Sequence, residues 1–455
     1  MPSIQASALA IRERRMTAED LVEQCLEAIT RRDDEVNAFI TILADEARSR
    51  ASQADREIAH GQDLGILHGI PLSIKDLIDM KGQPTTAASK VRAGHRATSD
   101  APIMARLKAA GVVVVGKCNL HEFAFGTTGD DSAFGPTRNP LAPDHSAGGS
   151  SSGSAASVAA GMALASVGTD TGGSIRIPAA ACGVVGLKPT RGELSTNGVV
   201  PLSPTLDHVG PLGLTVDDVT VVYRAMVGDP VMVEEHQPDE RTADHQHQTT
   251  HLGVPTRYFL DLLDTDVRDA FEATLTRLRE TGCHINEVNI PHADTIATTY
   301  RHTQLYEAFR VHRHTLESHP DDYSPDVYKR LESGRALSEK DYWRAQRDRL
   351  VLQSDVDSAM EGVSALVLPT LAFPAPPMGS QRVVLGGQTS DIRSVSLRLT
   401  QLFNLTGHPA ITLPCGTTPD GLPCATQLVG RRDKTRAILA LASHYELIIH
   451  PNRPR

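Results

Sequence analysis

Residues 146–174 constrain the chain more than any other segment. There 7 Gly, 8 Ser and 7 Ala fill 22 of 29 positions, and Asp170 is the one charge. A Gly/Ser linker stays disordered because it carries nothing apolar to bury. Here Val158, Met162, Leu164 and Val167 are interleaved with the small residues, and the run leads directly into Ile175, Ile177, Val184 and Val185. Small residues between apolar anchors let backbones approach one another, and a ligand, closely. The stretch therefore reads as a packed active-site scaffold.

Two local patterns inside it compete for an explanation. Gly149-Ser150-Ser151-Ser152-Gly153 matches the G-x-S-x-G nucleophile elbow, but that elbow follows an aliphatic strand. Here His145-Ser146-Ala147-Gly148 precedes it. The glycines also suggest phosphate binding, yet neither G-x-x-x-x-G-K-[ST] nor G-x-G-x-x-G occurs, so a nucleotide cofactor is not expected.

Around this stretch the pattern is one of alternating helices and short buried strands. Residues 17–30 form an amphipathic helix with Thr17 as N-cap and acids in the first turn. Further helices are expected over 43–60, 102–110, 267–282, 338–360 and 434–447. Apolar runs at 69–74, 112–116, 184–187, 364–369 and 410–414, most of them bounded by Gly or Pro, read as strands. Alternation of this kind argues for an α/β layered fold. Residues 225–252, with Glu234, Glu235, Asp239, Glu240 and several histidines, read as an exposed connector.

Bulk properties then exclude several functions. With 45 basic and 55 acidic residues the net charge is −10, which disfavours nucleic acid or an anionic membrane as the main partner. Six cysteines occur without C-x-x-C, so neither a disulfide framework nor a thiolate metal site is expected. At the N-terminus positive charge follows the apolar stretch, unlike a signal peptide. Aliphatic runs such as Val112 to Val115 are far too short to span a bilayer. A cytoplasmic protein is expected.

The segments Gly148-Gly149-Ser150-Ser151-Ser152-Gly153-Ser154 and Gly168-Thr169-Asp170-Thr171-Gly172-Gly173-Ser174-Ile175-Arg176 closely resemble the amidase signature family. So do Cys182-Gly183-Val184-Val185-Gly186-Leu187-Lys188-Pro189-Thr190 and, upstream, Gly69-Ile70-Pro71-Leu72-Ser73-Ile74-Lys75-Asp76. The resemblance runs well over 17–225 and thinly through the last hundred residues. It implies one domain over 1–455, with a signature core at about 65–215, the connector at about 225–252 and a substrate-shaping region at about 253–455. It implies a mixed central β-sheet flanked by helices on both sides. It further implies a Ser-(cis-Ser)-Lys triad: Ser174 as nucleophile, Ser150 after a cis peptide as proton relay, and Lys75 as base. The N–H groups of Thr171, Gly172, Gly173 and Ser174 would form the oxyanion hole, and Phe123 and Ala124 would line the acyl site.

The chemistry suits these residue types. A serine hydroxyl is a poor nucleophile until a base takes its proton. Histidine is the usual base, but no Asp or Glu is placed to orient His121, His145 or His208, so these read as structural. Lysine serves if burial keeps it neutral, and residues 70–78 around Lys75 are mostly apolar; the competing reading is a surface lysine paired with Asp76 or Asp79. Asp170 and Arg176 are expected to brace the catalytic loop. Cys182 reads as a packing residue. His245, His247 and His251 lack any metal scaffold such as H-E-x-x-H, so a solvated loop is expected and no metal. Arg301, Arg310 and Arg313 offer partners to an anionic substrate, though exposed helix charges are the simpler reading.

Within the family the texture resembles the A subunits of tRNA-dependent amidotransferases and the free-standing amidases similar to them. The pattern of those amidotransferases places an acid seven residues before the Asn of an N-L-x-G turn. Here that turn is Asn404-Leu405-Thr406-Gly407, and Leu397 occupies the position. The expectation is therefore a free-standing amidase, acting without cofactor on a small amide, anilide, ester or carbamate. A homo-oligomer is compatible with it. An amidotransferase A subunit is the alternative, and a non-catalytic scaffold a more distant one.

Overall fold

The buried aliphatic runs lie side by side in one sheet. The computed structural model describes residues 1–229, 231–233 and 250–450. Eleven strands form the sheet. They are β1 (Phe39–Ile42), β2 (Pro71–Lys75), β3 (Val113–Cys118), β4 (Ala165–Asp170), β5 (Val185–Lys188) and β6 (His208–Gly213), then β7 (His251–Pro255), β8 (His284–Val288), β9 (Ala365–Pro369), β10 (Ala410–Thr417) and β11 (Pro423–Val429). Their spatial order is β1-β3-β2-β4-β6-β5-β10-β11-β9-β7-β8. Strand β2 runs parallel to both β3 and β4, whereas β5 and β10 pair antiparallel. The sheet is mixed, and the β5–β10 pairing joins strands from either side of the connector.

Each face of the sheet is covered by helices, which explains the unbroken apolar runs. In β9, Ala365 and Val367 enter one hydrophobic cluster, and Leu366 and Leu368 enter another. Side chains of a strand alternate between faces, so a strand buried on both has no polar position to spare. The first helix expected from the pattern spans Ala18–Val36, opened by a reciprocal capping box between Thr17 and Asp20. It outruns residue 30 because its last turns are charged and carry no apolar signal until Val36. Pro102 opens the helix Pro102–Ala109, where its missing N–H costs nothing.

Two readings are corrected. The exposed connector is shorter than 225–252: Ala225 and Met226 are buried in the helix Val216–Val227, and His251 and Leu252 begin β7. Glu234, Glu235, Asp239, Glu240, His245 and His247 lie outside the described residues. The helix Ile296–Ser318 corresponds only to the helix charges expected at Arg301, Arg310 and Arg313, and the pattern gives it no range. Its buried face carries Thr299, Thr303, Gln304, Glu307 and His312 among the apolar residues, so hydrophobic periodicity does not reveal it.

Candidate active site

Parallel strands β2 and β4 bring Lys75 and Thr169 to the same end of the sheet. Lys75 is fully buried. Its Nζ lies 2.8 Å from Ser150 Oγ, 2.9 Å from Ser151 Oγ and 2.7 Å from Thr169 Oγ1. Among the described residues no carboxylate lies within 4.0 Å of it; Asp76 instead meets Lys117 at 2.8 Å. Desolvation holds the Lys75 pKa well below the usual lysine range, against the opposing charges of Asp170 and Asp207. Ser151 donates its own proton to the Thr169 carbonyl at 3.1 Å, so towards Lys75 it acts as an acceptor. A neutral amine has two N–H donors and one lone pair. With three hydroxyl neighbours, Ser150 or Thr169 must then donate to Nζ.

The Ser run and the loop 171–175 touch directly. Ser151 N–H donates to the Ser174 carbonyl at 3.1 Å, and His121 N–H donates to the Ser150 carbonyl at 3.1 Å. The Gly149–Ser150 peptide is cis. Ser174 is 5% exposed, at the start of the turn into the helix Arg176–Cys182. The carbonyls of the two loop glycines are engaged: Gly172 accepts from Thr400 Oγ1 at 2.5 Å and Gly173 from Ile177 N–H at 2.7 Å. Among the described residues no protein acceptor meets the N–H groups of Thr171, Gly172, Gly173 and Ser174. Such free, fixed donors suit a developing oxyanion. Both glycines are required. A Cβ on Gly172 would stand 2.2 Å from Tyr300 Oη, and Gly173 has φ +142° with Thr400 Oγ1 only 2.4 Å from a Cβ position.

Asp170 and Arg176 form a fully buried pair. The guanidinium donates from Nε and Nη2 to the carboxylate, both at 3.1 Å. Asn404 Nδ2 donates to the same carboxylate at 2.8 Å, and Arg176 also reaches Asn404 Oδ1 and Gln427 Oε1. Burial alone would raise the Asp170 pKa. The charge and hydrogen bonds of Arg176, with Asn404, hold it below the carboxylate range instead.

The other candidates fall elsewhere. Burial pushes the ring pKa of both His121 and His208 well down; His208 Nδ1 lies 2.6 Å from the Leu206 carbonyl. Cys182 is buried and donates to the Ala147 carbonyl. His251 stacks on His284. Arg310 sits over Tyr306, and Arg313 pairs with Glu317 in solvent. Phe123 and Ala124 are buried, and both have positive φ. Phe123 packs edge-on against His312 at 4.4 Å.

A cavity of about 580 Å³ adjoins this centre, lined by residues including His121, Thr128, Arg301, Gln304, Arg330 and Arg393. Lys75, Ser150, Ser174, Phe123 and Ala124 are not in its wall. It meets the centre one residue away on two sides. His121 is bonded to Ser150, and Gln304 donates to Tyr300 Oη at 2.6 Å, which abuts Gly172. The sequence reading missed Ser151, Thr169, Tyr300, Thr400, Asn404 and Gln427. Ser151 and Thr169 stand inside the signature segments and Asn404 in its N-L-x-G turn; Tyr300, Thr400 and Gln427 had no signal.

Comparison with known proteins bears on the family and the fold. A glutamyl-tRNA(Gln) amidotransferase chain of Koribacter versatilis, the A subunit of that enzyme, is 35% identical, over 98% of this chain and 98% of that protein. A solved structure described as an amidase superposes with a TM-score of 0.91 at 36% identity, over 98% of this chain and 100% of the other. The native peptide amidase of Stenotrophomonas maltophilia superposes at 0.84 with 29% identity, over 99% of this chain and 98% of the other. The family described as Amidase matches residues 20–439. The chain belongs to that family, the amidase signature enzymes.

Proposed function

We propose that this amidase signature enzyme is a free-standing hydrolase that cleaves C–N acyl bonds through an acyl-enzyme on Ser174. The observation that carries the reading is Lys75: buried, with no carboxylate within 4.0 Å among the described residues, and 2.8 Å from Ser150 Oγ. Neutral Lys75 takes a proton from Ser150, which takes one from Ser174 as that oxygen attacks the acyl carbon. The N–H groups of residues 171–174 receive the negative charge, and the proton returns to the leaving amine. Water then releases the acyl group by the same route. Amides, anilides, esters and carbamates fit this chemistry.

The curated relatives named as amidotransferase subunits favour a second reading, in which the chain releases ammonia from glutamine within a complex. Leu397 supports the first. It is buried, with its Cδ2 2.9 Å from a Cβ position on Gly172, so an apolar side chain stands where the amidotransferase pattern needs an acid. The isolated chain should hydrolyse 4-nitroanilides without glutamine, ATP, tRNA or a partner, and a fluorophosphonate should label it at Ser174 but not after Ser174→Ala. Turnover strictly dependent on glutamine and a partner protein would establish the second reading. A chain that neither turns over nor labels would be a scaffold.

A further inference from the structure

The loop 171–175 is anchored on one side by the Asp170–Arg176 pair. On its other side stands a carboxylate that the proposed hydrolytic steps do not use. Thr171, only 3% exposed, donates from Oγ1 to Asp207 Oδ1 at 2.6 Å. Among the described residues this is the one side-chain hydrogen bond that residues 171–174 make, and Asp207 forms no ion pair. Its oxygens also accept from Leu202 N–H at 3.0 Å and Ser203 N–H at 3.1 Å. Burial pushes the Asp207 pKa up, and the Thr171 hydroxyl is foremost among the donors that oppose this. A hydrogen bond to an ionised acceptor is about twice as strong as a neutral one, so the tie at Thr171 is a firm one.

The support behind Asp207 is itself fixed. Leu206 N–H and Asp207 N–H both donate to the Ser203 carbonyl, at 2.8 and 2.9 Å, and close a turn. Glu307, on the helix Ile296–Ser318, accepts from Ser203 Oγ at 2.7 Å, Thr205 Oγ1 at 2.7 Å and Thr205 N–H at 3.1 Å. Tyr342 Oη completes its shell at 2.9 Å. The same helix sets Tyr300 against Gly172. It thus reaches the loop twice, directly at Gly172 and through the turn and Asp207 at Thr171. A cap that only closes its own turn would account for the N–H donors of Leu202 and Ser203. It does not account for the contact with Thr171, which spans 36 residues of chain.

We propose that Asp207 is a positioning residue for the hydrolysis: through the Thr171 hydroxyl it holds the N–H groups of Thr171 and Gly172 where the acyl oxygen becomes negative. The inference rests on the amidase reading and deepens it. Donors to an oxyanion act only if they are fixed at hydrogen-bond distance from the place where charge develops. A displacement of about 1 Å can cost about a hundredfold in rate. Glycines at 172 and 173 leave the donors unobstructed but cannot anchor them through side chains, so the anchor falls to Thr171. Asp207 touches no reacting atom and takes no part in proton transfer.

The test is steady-state kinetics of Thr171 variants on a 4-nitroanilide. Thr171→Val exchanges the hydroxyl for a methyl group of similar size. It should lower kcat by about tenfold to a hundredfold and leave KM near the wild-type value, because the oxyanion exists only beyond the ground state. Thr171→Ser keeps the hydroxyl and should recover most of the loss. Asp207→Asn should lose at least as much as Thr171→Val, and the double variant little more than Asp207→Asn, since the two act through one bond. If Asp207→Asn does not fold, the valine and serine variants decide. A wild-type kcat in Thr171→Val, a loss that Thr171→Ser shares in full, or losses that multiply in the double variant overturn the proposal. Where the wild type is labelled by a fluorophosphonate but does not turn over the anilide, the labelling rate replaces kcat. It should fall in the same order of variants, and any other order overturns the proposal. A wild type that neither turns over nor labels overturns the amidase reading, and this inference with it.

Discussion

At the scale of the residue, the proposed base Lys75 would separate this centre from every histidine-based one. Its pKa is lowered by burial, so it is protonated, and useless as a base, only below that lowered value. Activity in kcat/KM should therefore rise with pH through the lowered pKa and stay high above it. The same shift acts on stability. Between the lowered folded pKa and the ordinary lysine value the unfolded chain binds the extra proton, so this residue's contribution to stability rises with pH across that window. Lys75→Ala removes the proposed base; Lys75→Arg keeps the charge but cannot lose its proton at working pH. Both should be comparably inactive, and an active Lys75→Arg with an unchanged pH profile would remove lysine from the mechanism. Ser150 and Ser151 stand almost equally near Nζ, but Ser151 already gives its proton to Thr169. Ser150→Ala should then cost about 10²–10⁴ in kcat, as loss of a proton-transfer group does. Ser151→Ala should cost less, and the reverse order in steady-state kinetics would exchange their roles.

At the scale of the element, the loop 171–175 depends on the buried pair beneath it. Asp170 ends β4, Arg176 begins the next helix, and Asn404 and Gln427 reach the pair from the far half of the chain. Asp170→Asn keeps the shape but leaves the guanidinium buried and unpaired. Breaking such a pair costs about 3–5 kcal/mol, which urea denaturation would read as a lowered midpoint. A shift worth less than about 1 kcal/mol, well under that range, would show that the loop does not lean on this pair. The helix Ile296–Ser318 matters equally to the site. It supplies Tyr300 to Gly172 and both Arg301 and Gln304 to the cavity, and its polar buried face is what that service requires.

The whole molecule is organised by one sheet. Strand β5 has β6 on one side and β10 on the other, so residues before the connector have an open strand edge until those after it arrive. We propose on this ground that the chain is a single folding unit. Near- and far-ultraviolet circular dichroism should be lost together on heating. Residues 1–229 expressed alone should aggregate through the exposed β5 edge. Two separated transitions, or a soluble folded fragment, would divide the chain into independent domains. The two hydrophobic clusters include side chains from opposite faces of β9, so neither core is complete without the sheet between them.

Local chemistry was legible in the residues themselves. Thr17 and Pro102 start helices, unbroken aliphatic runs become strands buried on both faces, and Gly, Ser and Ala at 146–174 permit the close packing around Ser174. These features depend on near neighbours in the chain, which a sequence displays directly. Three things depended on the tertiary structure. Lys75 loses its charge preference only because distant segments exclude water from it. Asp170 stays ionised because Asn404, 234 residues away, and Arg176 converge on it. Arg330 and Arg393 both approach the ring of Phe125 because segments far apart in the chain meet there. Burial and the partners of a charge are set by which distant segments meet, and no local pattern of residue types encodes that meeting.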